Sequence, residues 1–493
     1  MYVPIAINLV LAAFLSFYLP LRSDEGYTLA TISQGFTTAV HRAIEFENYP
    51  PFYFGALSLW NFGSENFFWG RMFSVFSIVG AALLLPALGK RYLPNVAPFW
   101  LVATFLFNPV VMIQEVDMRC YAFLILLSAL LLIYFFDGYL QEKNDRKARW
   151  LYVVLAVIGL YTHYFAGFLL AANGVVLVLS RKWGSVGRYL LDMIIPALAL
   201  AAIIPFIPGQ FENQHQAHEL SSPLSSIVFM FGVIENFILG MDNIYNLPEV
   251  LKLVFLMVVA LVWLIAIAVN FQPLRYFFKT KESKMLIIFS SLLIFVTAIH
   301  FLLGKSIAQT KYMNSLTIPT LFVFFTAFTL TPSKTWLIHA GAGVLLILYL
   351  IVTPLIFVPT IKTEDYKGIA TYLEEHEENE EPVIIFENIH ELVLKHHYHG
   401  DNFLYQFPVD IDFTKAWNHK NWVIQNDEQV EQYFSQKINY PETFWMVTHE
   451  KKTNQNIDLG HHHLESFLEQ NYETVSTQNF QYMMRVRYMR RKY

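Results

Sequence analysis

The sequence is poor in cysteine and in charged residues. Of its 493 residues one is a cysteine, Cys120, which excludes an intramolecular disulfide and a cluster of thiolate metal ligands. Only 15% of the residues are charged, well below the roughly 25% that is usual in soluble globular domains. A Gly-rich nucleotide loop between a strand and a helix is also lacking, so no nucleotide substrate is indicated. What the chain has in abundance is hydrophobic residues, at 55%.

Long apolar runs dominate the first 360 residues, and several reach the roughly 20 residues that span a hydrocarbon core. The chain starts in such a run without a basic segment or a small-residue cleavage site, so we expect a retained first helix. A further apolar segment, 227–239, is predicted to be re-entrant or interfacial. We predict about eleven transmembrane helices, at 3–21, 66–88, 95–112, 120–138, 150–162, 164–180, 189–208, 249–271, 285–303, 313–331 and 335–358.

The charge distribution divides the chain near residue 361. Residues 361–493 contain 22 acidic and 13 basic residues, a net charge of −9, whereas the whole chain has a net charge of −5. Short apolar strands alternate there with helical patterns, which is typical of a small α/β domain. The fold class is therefore predicted to be mainly α, with a transmembrane part over residues 1–360 and a soluble α/β domain over 361–493. The strands are expected at 382–386, 422–424 and 444–447, and the helices at 366–375 and 464–470.

Basic residues indicate how the chain is oriented in the membrane. Of the 21 Lys and Arg residues in the transmembrane part, 14 lie in loops on one side, which the positive-inside rule places in the cytoplasm. The first outer loop (22–65), the segment 114–119, the loop 304–311 and the C-terminal domain then face outwards. We predict a multi-pass protein of the cytoplasmic membrane with its functional residues on the outer side. The basic tail 485–492 is interpreted as a strand edge and a charged terminus, not as a nucleic-acid site.

Ionisable residues cluster in the outer segments close to the membrane. Arg71 lies inside the second span, where an unpaired charge is unfavourable, so we expect it to pair with an acid of the first outer loop. Outer cations run against the charge rule and would be explained by an anionic ligand such as a phosphate. The residues of this cluster are Asp24, Glu25, Glu115, Asp117, Arg119, Lys305, Lys311 and Tyr312.

Acids and cations together at membrane level suit a substrate that has a phosphate and a hydroxyl to activate. A carboxylate can act as general base on the hydroxyl, and cations can stabilise the charge that develops on a leaving phosphate. The clustered carboxylates could also hold a divalent cation, so a metal requirement stays open. The histidine runs 396–399 and 461–463 lack a matching partner pattern, and we expect no metal there.

Five segments, in this order and spacing, carry a resemblance to a known family. They are SDEGY at 23–27, YPPFY at 49–53, FGSE to RMFS at 62–74, DMRCYA at 117–122 and YTHYF at 161–165. With them the chain resembles the membrane glycosyltransferases of the GT-C superfamily. It is most similar to the bacterial relatives of protein O-mannosyltransferases (family GT39), which include the aminoarabinose-transferase-like proteins.

The resemblance implies transfer of a sugar from a polyprenyl-phosphate carrier to an acceptor hydroxyl on the outer face, with inversion and without a cofactor. Asp24 corresponds to the catalytic base, with Glu25 beside it as a helper or acceptor ligand. Arg119 and the pair Lys311-Tyr312 are expected to meet the carrier phosphate. The acceptor can be a glycan, a lipid or a protein, and membrane lipids surround the site. The remaining candidates for substrate binding are Arg71, Glu115, Asp117, Tyr121 and His163.

Two positions depart from the family pattern. Tyr49 stands before the Pro-Pro pair, where the family often has histidine, which leaves the role of that position open. Lys311 stands where the family often has arginine, and lysine binds phosphate as a point charge without the bidentate fork.

Two other classes of protein also fit the composition. A transporter or flippase of a lipid-linked saccharide is the main alternative, although its site would be expected near the bilayer midplane. A non-catalytic membrane scaffold would explain the helices but not the outer charges.

Overall fold

The polypeptide begins with a helix that turns sharply at its end. The computed structural model describes the whole chain except residues 46, 63, 65, 143–144, 208–221, 241–247, 270–279, 304–309, 330–334, 358–363, 379–380, 414, 416–418, 451–452, 455–456 and 482. Helix α1 (Tyr2–Tyr18) is followed after a bend of 88° by α2 (Ser23–Ile32). Two further short helices, α3 (Phe36–Glu45) and α4 (Phe52–Asn61), complete the segment that was predicted as the first outer loop.

Apolar helices form most of the remaining chain up to residue 357. Six described helices are long and apolar enough to cross a membrane by length and composition, or seven if α1 and α2 count as one bent span. The chain is therefore a multi-pass membrane protein, and the predicted mainly α-helical class is confirmed. The helices are α5 (Phe67–Tyr92), α6 (Pro98–Leu106), α7 (Pro109–Glu115), α8 (Tyr121–Phe135), α9 (Arg146–Thr162), α10 (Ala166–Leu179), α11 (Trp183–Asp192), α12 (Ile194–Ala201), α13 (Pro223–Leu239), α14 (Glu249–Val269), α15 (Glu282–Leu303), α16 (Thr317–Thr329) and α17 (Thr335–Phe357).

All eleven predicted spans contain helix, but two of them are interrupted. The span predicted at 95–112 divides into α6 and α7, because Pro109 lacks an amide hydrogen and disfavours a helical residue before it. The span predicted at 189–208 begins earlier and has a break at Met193 between α11 and α12. The segment at 227–239 lies in the 17-residue helix α13, which packs against α15.

One apolar core joins these helices. Its buried side chains come from α5, α6, α8, α9, α10, α15, α16 and α17. Away from the end of α5 that contains Arg71, two ion pairs connect neighbouring helices. Arg91 Nε donates to Asp137 Oδ1 at 2.8 Å, and Arg149 Nε donates to Asp192 Oδ2 at 2.8 Å. In the described part of the bundle, these two ion pairs lie near helix ends.

The C-terminal domain contains a mixed sheet. Five strands lie in the order β2-β1-β3-β7-β6, with β1 parallel to both β2 and β3, and β7 antiparallel to both β3 and β6. The predicted α/β character of this domain is confirmed, while its predicted boundary near residue 361 lies outside the described residues. The elements are α18 (Tyr366–His376), β1 (Val383–Phe386), α19 (Ile389–Leu394), β2 (Leu404–Gln406), α20 (Asp427–Gln432), β3 (Thr443–His449), β4 (Thr453–Asn454), β5 (Ile457–Asp458), α21 (His461–Asn471), β6 (Tyr472–Asn479) and β7 (Met484–Arg491).

Two strand predictions in this domain were wrong. The segment 422–424 is not a strand: Trp422 ends a short 3-10 helix, and Ile424 N donates to Leu459 O. The basic tail does form a strand, β7, but that strand lies inside the sheet because β6 covers its other side. The side chains of β6 after Tyr472 are exposed, so no apolar pattern in the sequence indicates the strand that covers β7.

The C-terminal domain and the helices before α5 share a second apolar core. Leu21, Leu29 and Tyr53 from the first part are buried together with Ile369 and Trp445 from the domain. The domain packs directly on α2 through α19.

Asn108 connects three helices, and its loss should destabilise the bundle. Its Oδ1 accepts from Val110 N at 2.9 Å, and its Nδ2 donates to Phe237 O and to Tyr349 Oη, both at 3.0 Å. Replacing Asn108 by Ala should lower the free energy of unfolding by about 2–3 kcal/mol, because a helix cap and two buried hydrogen bonds are lost together. The apparent melting temperature in detergent would measure the loss. Asn66→Ala is the control, since Asn66 is exposed and caps α5 only through Trp69 N; equal losses in the two variants would contradict this assignment.

Candidate functional site

The site is built on the first turn of α2, directly after the bend. Asp24 and Glu25 both lie in this turn, where negative charge is favourable at a helix N-terminus. Glu25 Oε2 accepts from the backbone N of Arg22 at 3.0 Å, which satisfies one of the free amide groups that begin a helix. Adjacent helix positions point about 100° apart, so the two acids face different surroundings.

Glu25 faces the helix bundle and pairs with Arg71 of α5. The two side chains are 0% and 1% exposed, and both Nε and Nη2 of Arg71 donate to the carboxylate, at 2.7 and 2.5 Å. Glu25 Oε1 also accepts from Met118 N at 3.0 Å. The expected pairing of Arg71 with an acid of the first outer loop is thus present. Glu25 is buried and accepts from Arg71 and from two backbone amides, so its carboxylate is occupied by protein donors, and its role as a helper or acceptor ligand stays a prediction.

Arg71 also holds the bend between α1 and α2. Its Nη1 donates to Ser16 O and Leu19 O, both at 2.8 Å, and its Nη2 donates to Pro20 O at 2.7 Å. These carbonyl groups lie where α1 ends and would otherwise lack partners. Arg71 thus satisfies the carboxyl end of α1 and the start of α2 at once.

Asp24 faces away from Arg71 and towards two other cations. Its carboxylate accepts from Lys311 Nζ at 3.2 Å, and these two side chains are 50% and 41% exposed. Arg119 Nη1 donates to the backbone oxygen of Asp24 at 3.1 Å. The half-exposed pair of Asp24 and Lys311 is accessible to a ligand, unlike the buried pair of Glu25 and Arg71.

Electrostatics keep Asp24 ionised. The positive charge of Lys311 lowers the pKa of the Asp24 carboxyl well below its usual range, burial opposes this effect, and Arg119 and Arg22 add to the lowering. Conversely, the charge of Asp24 raises the pKa of Lys311. At neutral pH, Asp24 is therefore a carboxylate, the form that can accept a proton.

Arg119 is held by several acceptors in the loop between α7 and α8. Its Nη1 donates to Thr28 Oγ1 at 2.9 Å and to Glu47 Oε2 at 3.0 Å, and its guanidinium lies 5.2 Å from the centre of the Tyr49 ring. In the part of the chain that the structure describes, Nε and Nη2 of Arg119 have no hydrogen-bond partner. Arg119 thus has donors left for an anion.

Four rings form a wall between Arg119 and Lys311. Tyr49 and Tyr121 join their hydroxyl groups at 3.0 Å, and Tyr312 lies 5.6 Å from His163 and 6.5 Å from Tyr49 between ring centres. Lys311 Nζ lies 5.6 Å from the centre of the Tyr312 ring. The predicted residues Tyr121, His163 and Tyr312 are thus brought together beside the two cations.

His163 in this wall is a neutral imidazole. Burial, assisted by the charge of Arg119, lowers the pKa of His163 to about 3. Its Nδ1 accepts from Phe165 N at 3.2 Å, which places the ring proton on Nε2. His163 can therefore donate a hydrogen bond to a ligand but adds no positive charge.

Two further predicted residues, Asp117 and Glu115, have partners other than Asp24 and Lys311. Asp117 pairs with Arg22, whose Nη2 is 2.5 Å from Asp117 Oδ2. Glu115 is completely buried and accepts from Asn8 Nδ2 at 2.9 Å, in contact with α1 and away from the two exposed charges. Lys305 lies outside the described residues.

Sequence reasoning missed several residues of the site. Glu47 is the buried partner of Arg119, and Arg22 is the partner of Asp117. The sequence identifies Tyr49 as a departure from the family pattern but not as a residue of the site. Glu47 lies two positions before Tyr49, and this closeness to the Pro-Pro motif is the sequence signal that indicates a residue of the site. Arg22 begins the first outer loop, and its position two residues before Asp24 is the corresponding signal.

Comparison with known proteins gives matches in three-dimensional structure alone. No protein-family model matches the chain, and no curated protein is significantly similar to it in sequence. Two crystal structures of ArnT from Cupriavidus metallidurans match it over 99% of this chain and 97% of theirs, at 10% sequence identity. The TM-score is 0.59 for the structure bound to undecaprenyl phosphate and 0.60 for the apo structure.

The chain has the fold of ArnT. The likeness covers the helices and the C-terminal domain alike, so the predicted GT-C resemblance is confirmed at the level of the fold. ArnT and this chain share few identical residues, and the assignment of each side chain here depends on its own contacts.

Breaking the pair of Glu25 and Arg71 should destabilise the protein strongly. Glu25→Gln would leave the Arg71 charge buried without a counter-charge, which typically costs about 3–5 kcal/mol. Thermal unfolding in detergent would measure this loss. The matched control is Asp137→Asn, which breaks the more exposed pair with Arg91 and should cost roughly 1 kcal/mol or less. Similar losses in both variants would show that Arg71 does not depend on Glu25.

Proposed function

We propose that the protein is a membrane glycosyltransferase that takes a sugar from a polyprenyl-phosphate donor and transfers it to an acceptor hydroxyl. The observation that carries the proposal is the position of Asp24. This accessible carboxylate lies beside Lys311, with Arg119 on its backbone oxygen, where the membrane helices meet the C-terminal domain. A base and two cations at one point are what transfer from a phosphate-linked donor requires.

Asp24 acts as the general base. The carboxylate takes the proton of the acceptor hydroxyl, and the oxygen forms a bond to the anomeric carbon. The bond from that carbon to the phosphate oxygen breaks, and the polyprenyl phosphate leaves with the electron pair. Glu25, the neighbouring carboxylate, is fully used by Arg71, so we propose a single displacement with inversion and no covalent intermediate.

Lys311 and Arg119 bind the donor phosphate. Lys311 is half-exposed, and Arg119 has unused donors, so both can contact an anion placed over the aromatic wall. Their charges offset the charge that grows on the leaving phosphate, and for this reason we propose transfer without a divalent cation. The ArnT structure with bound undecaprenyl phosphate has the same fold, which supports a polyprenyl-phosphate ligand here.

The reaction takes place on the outer side of the cytoplasmic membrane. The distribution of Lys and Arg supports this orientation, because the loops rich in basic residues belong on the cytoplasmic side. The site and the C-terminal domain then face outwards. The neutral, aromatic lining made by Tyr49, Tyr121, His163 and Tyr312 suits the apolar face of a sugar ring next to the phosphate.

Replacing Asp24 by Asn should abolish transfer and leave the fold intact, because Asp24 is half-exposed and makes a weak surface pair. The measurement is release of sugar from a panel of radiolabelled polyprenyl-phosphate sugars by the purified full-length protein, with hydroxyl-bearing acceptors. Asp401→Asn, at an exposed position of the C-terminal domain, is the matched control and should retain wild-type turnover.

Normal turnover by the Asp24→Asn variant would exclude Asp24 as the base. If the folded wild type instead moves a lipid-linked saccharide across liposome membranes and transfers no sugar, the flippase alternative replaces the proposal.

Donor binding should also change the acidity of Asp24. In the free protein Lys311 holds the Asp24 pKa low, so kcat/KM should stay high down to a pH below the ordinary aspartate value of about 4. Once the donor phosphate pairs with Lys311 and adds its own negative charge, the Asp24 pKa rises. The acidic limb of kcat should therefore lie at higher pH than that of kcat/KM. Lys311→Met should move the kcat/KM limb upwards, and coincident limbs in the wild type would contradict this coupling.

A further inference from the structure

The carboxyl ends of strands β1 and β3 in the C-terminal domain face α2. Strand β1 lies between β2 and β3, and the chain passes from β1 to β2 through α19 and then to β3 through α20. The point where strand order reverses is thus at the carboxyl ends of β1 and β3, where open α/β sheets commonly bind ligands. Three buried polar residues mark this edge: Glu387 after β1, His390 in α19 and His449 at the end of β3.

A chain of hydrogen bonds connects this edge to the residue before Asp24. Ser23 Oγ donates to Glu364 Oε1 at 3.3 Å and lies 3.0 Å from Tyr366 Oη, which lies 2.7 Å from His390 Nδ1. Ser23 Oγ thus donates to Glu364, and the Tyr366 hydroxyl, which can donate or accept, bridges Ser23 and His390.

The C-terminal domain also contacts the chain just before α2 and α2 itself through α19 and the residues that follow it. Leu21 N donates to His397 Nε2 at 3.1 Å. A Cβ atom added at Gly26 would lie 2.8 Å from Val393 Cγ2, so α19 and α2 approach as closely as a glycine permits. The first turn of α2 is therefore held between Arg71 on one side and the C-terminal domain on the other.

We propose that Tyr366 is a positioning residue for the transfer reaction, acting through Ser23 on Asp24. This inference rests on the proposed function. Among the described residues, Lys311 is the one side chain that donates a hydrogen bond to the Asp24 carboxylate, and the donor phosphate competes for that lysine. During transfer the direction of the carboxylate then depends on the backbone of the first turn, which Ser23 and Tyr366 hold. Displacements of about 1 Å at a reacting group can cost roughly a hundred-fold in rate.

The test is a double-variant cycle in the full-length protein. Tyr366→Phe and Ser23→Ala should each lower kcat by about ten-fold, the equivalent of one hydrogen bond at ~1.4 kcal/mol. The KM for the donor should stay unchanged, because neither variant touches Lys311 or Arg119. The double variant should be no slower than the slower single variant, since Tyr366 is proposed to act on Asp24 through Ser23 alone. Tyr433→Phe is the matched control, because its hydroxyl bonds Gln406 O within the C-terminal domain at 2.8 Å.

Hydrogen exchange of the amides of α2 gives a readout that is independent of activity. Exchange should be faster than in the wild type for Tyr366→Phe and for Ser23→Ala, and unchanged for Tyr433→Phe. Multiplicative losses of kcat in the double variant, or undiminished kcat in either single variant, would overturn the proposal. If Tyr366→Phe does not fold, Ser23→Ala tests the same bond from the other side.

The proposed function can fail separately. A wild type that transfers no sugar from any donor would reject the reaction, and with it the catalytic meaning of the Tyr366 contact. The hydrogen-exchange rates would then test only whether Tyr366 and Ser23 hold α2 against the C-terminal domain. Unchanged exchange of the α2 amides in both variants would overturn that contact as well.

Discussion

The buried pair of Arg71 and Glu25 is the interaction on which the site depends. A guanidinium inside an apolar bundle must have its donors satisfied, because an unpaired buried charge is very costly. The carbonyl groups at the end of α1 and the carboxylate of Glu25 supply the acceptors, and they can do so together because the chain turns by 88° between α1 and α2. Once Glu25 points into the bundle, helix geometry turns Asp24 outwards to Lys311.

The ion pairs of the site differ in burial. The buried pairs hold the structure, and the half-exposed pair is accessible to a ligand. Glu25 with Arg71 and Glu47 with Arg119 are buried, so they persist and hold the loops between helices. Asp24 with Lys311 is half-exposed, and an exposed pair contributes at most about 1 kcal/mol. This pair can therefore open without the loss of a buried contact, as the proposed binding of the donor phosphate to Lys311 requires.

The C-terminal domain completes this arrangement from the other side. Its sheet presents the carboxyl ends of β1 and β3 to the membrane part, and α2 occupies the place where such domains commonly bind a ligand. Helix α2 is thus packed between two bodies of different chemistry, an apolar bundle and an α/β domain. Leu29 of α2 and Trp445 of β3 belong to one apolar core, so the membrane part and the C-terminal domain are packed together at this point.

The sequence by itself determined the membrane helices, the α/β character of the C-terminal domain and the residues Asp24, Arg119 and Lys311 as one candidate group. Apolar length and motif order are local properties, and they survive folding because a bilayer-length apolar run has few alternatives to a helix. Only the tertiary structure decided that Glu25 serves Arg71, that Glu47 holds Arg119, that β7 lies inside the sheet and that Tyr366 reaches Ser23. These contacts join residues far apart in the chain, and packing selects them from many acids and tyrosines that are equivalent in the sequence.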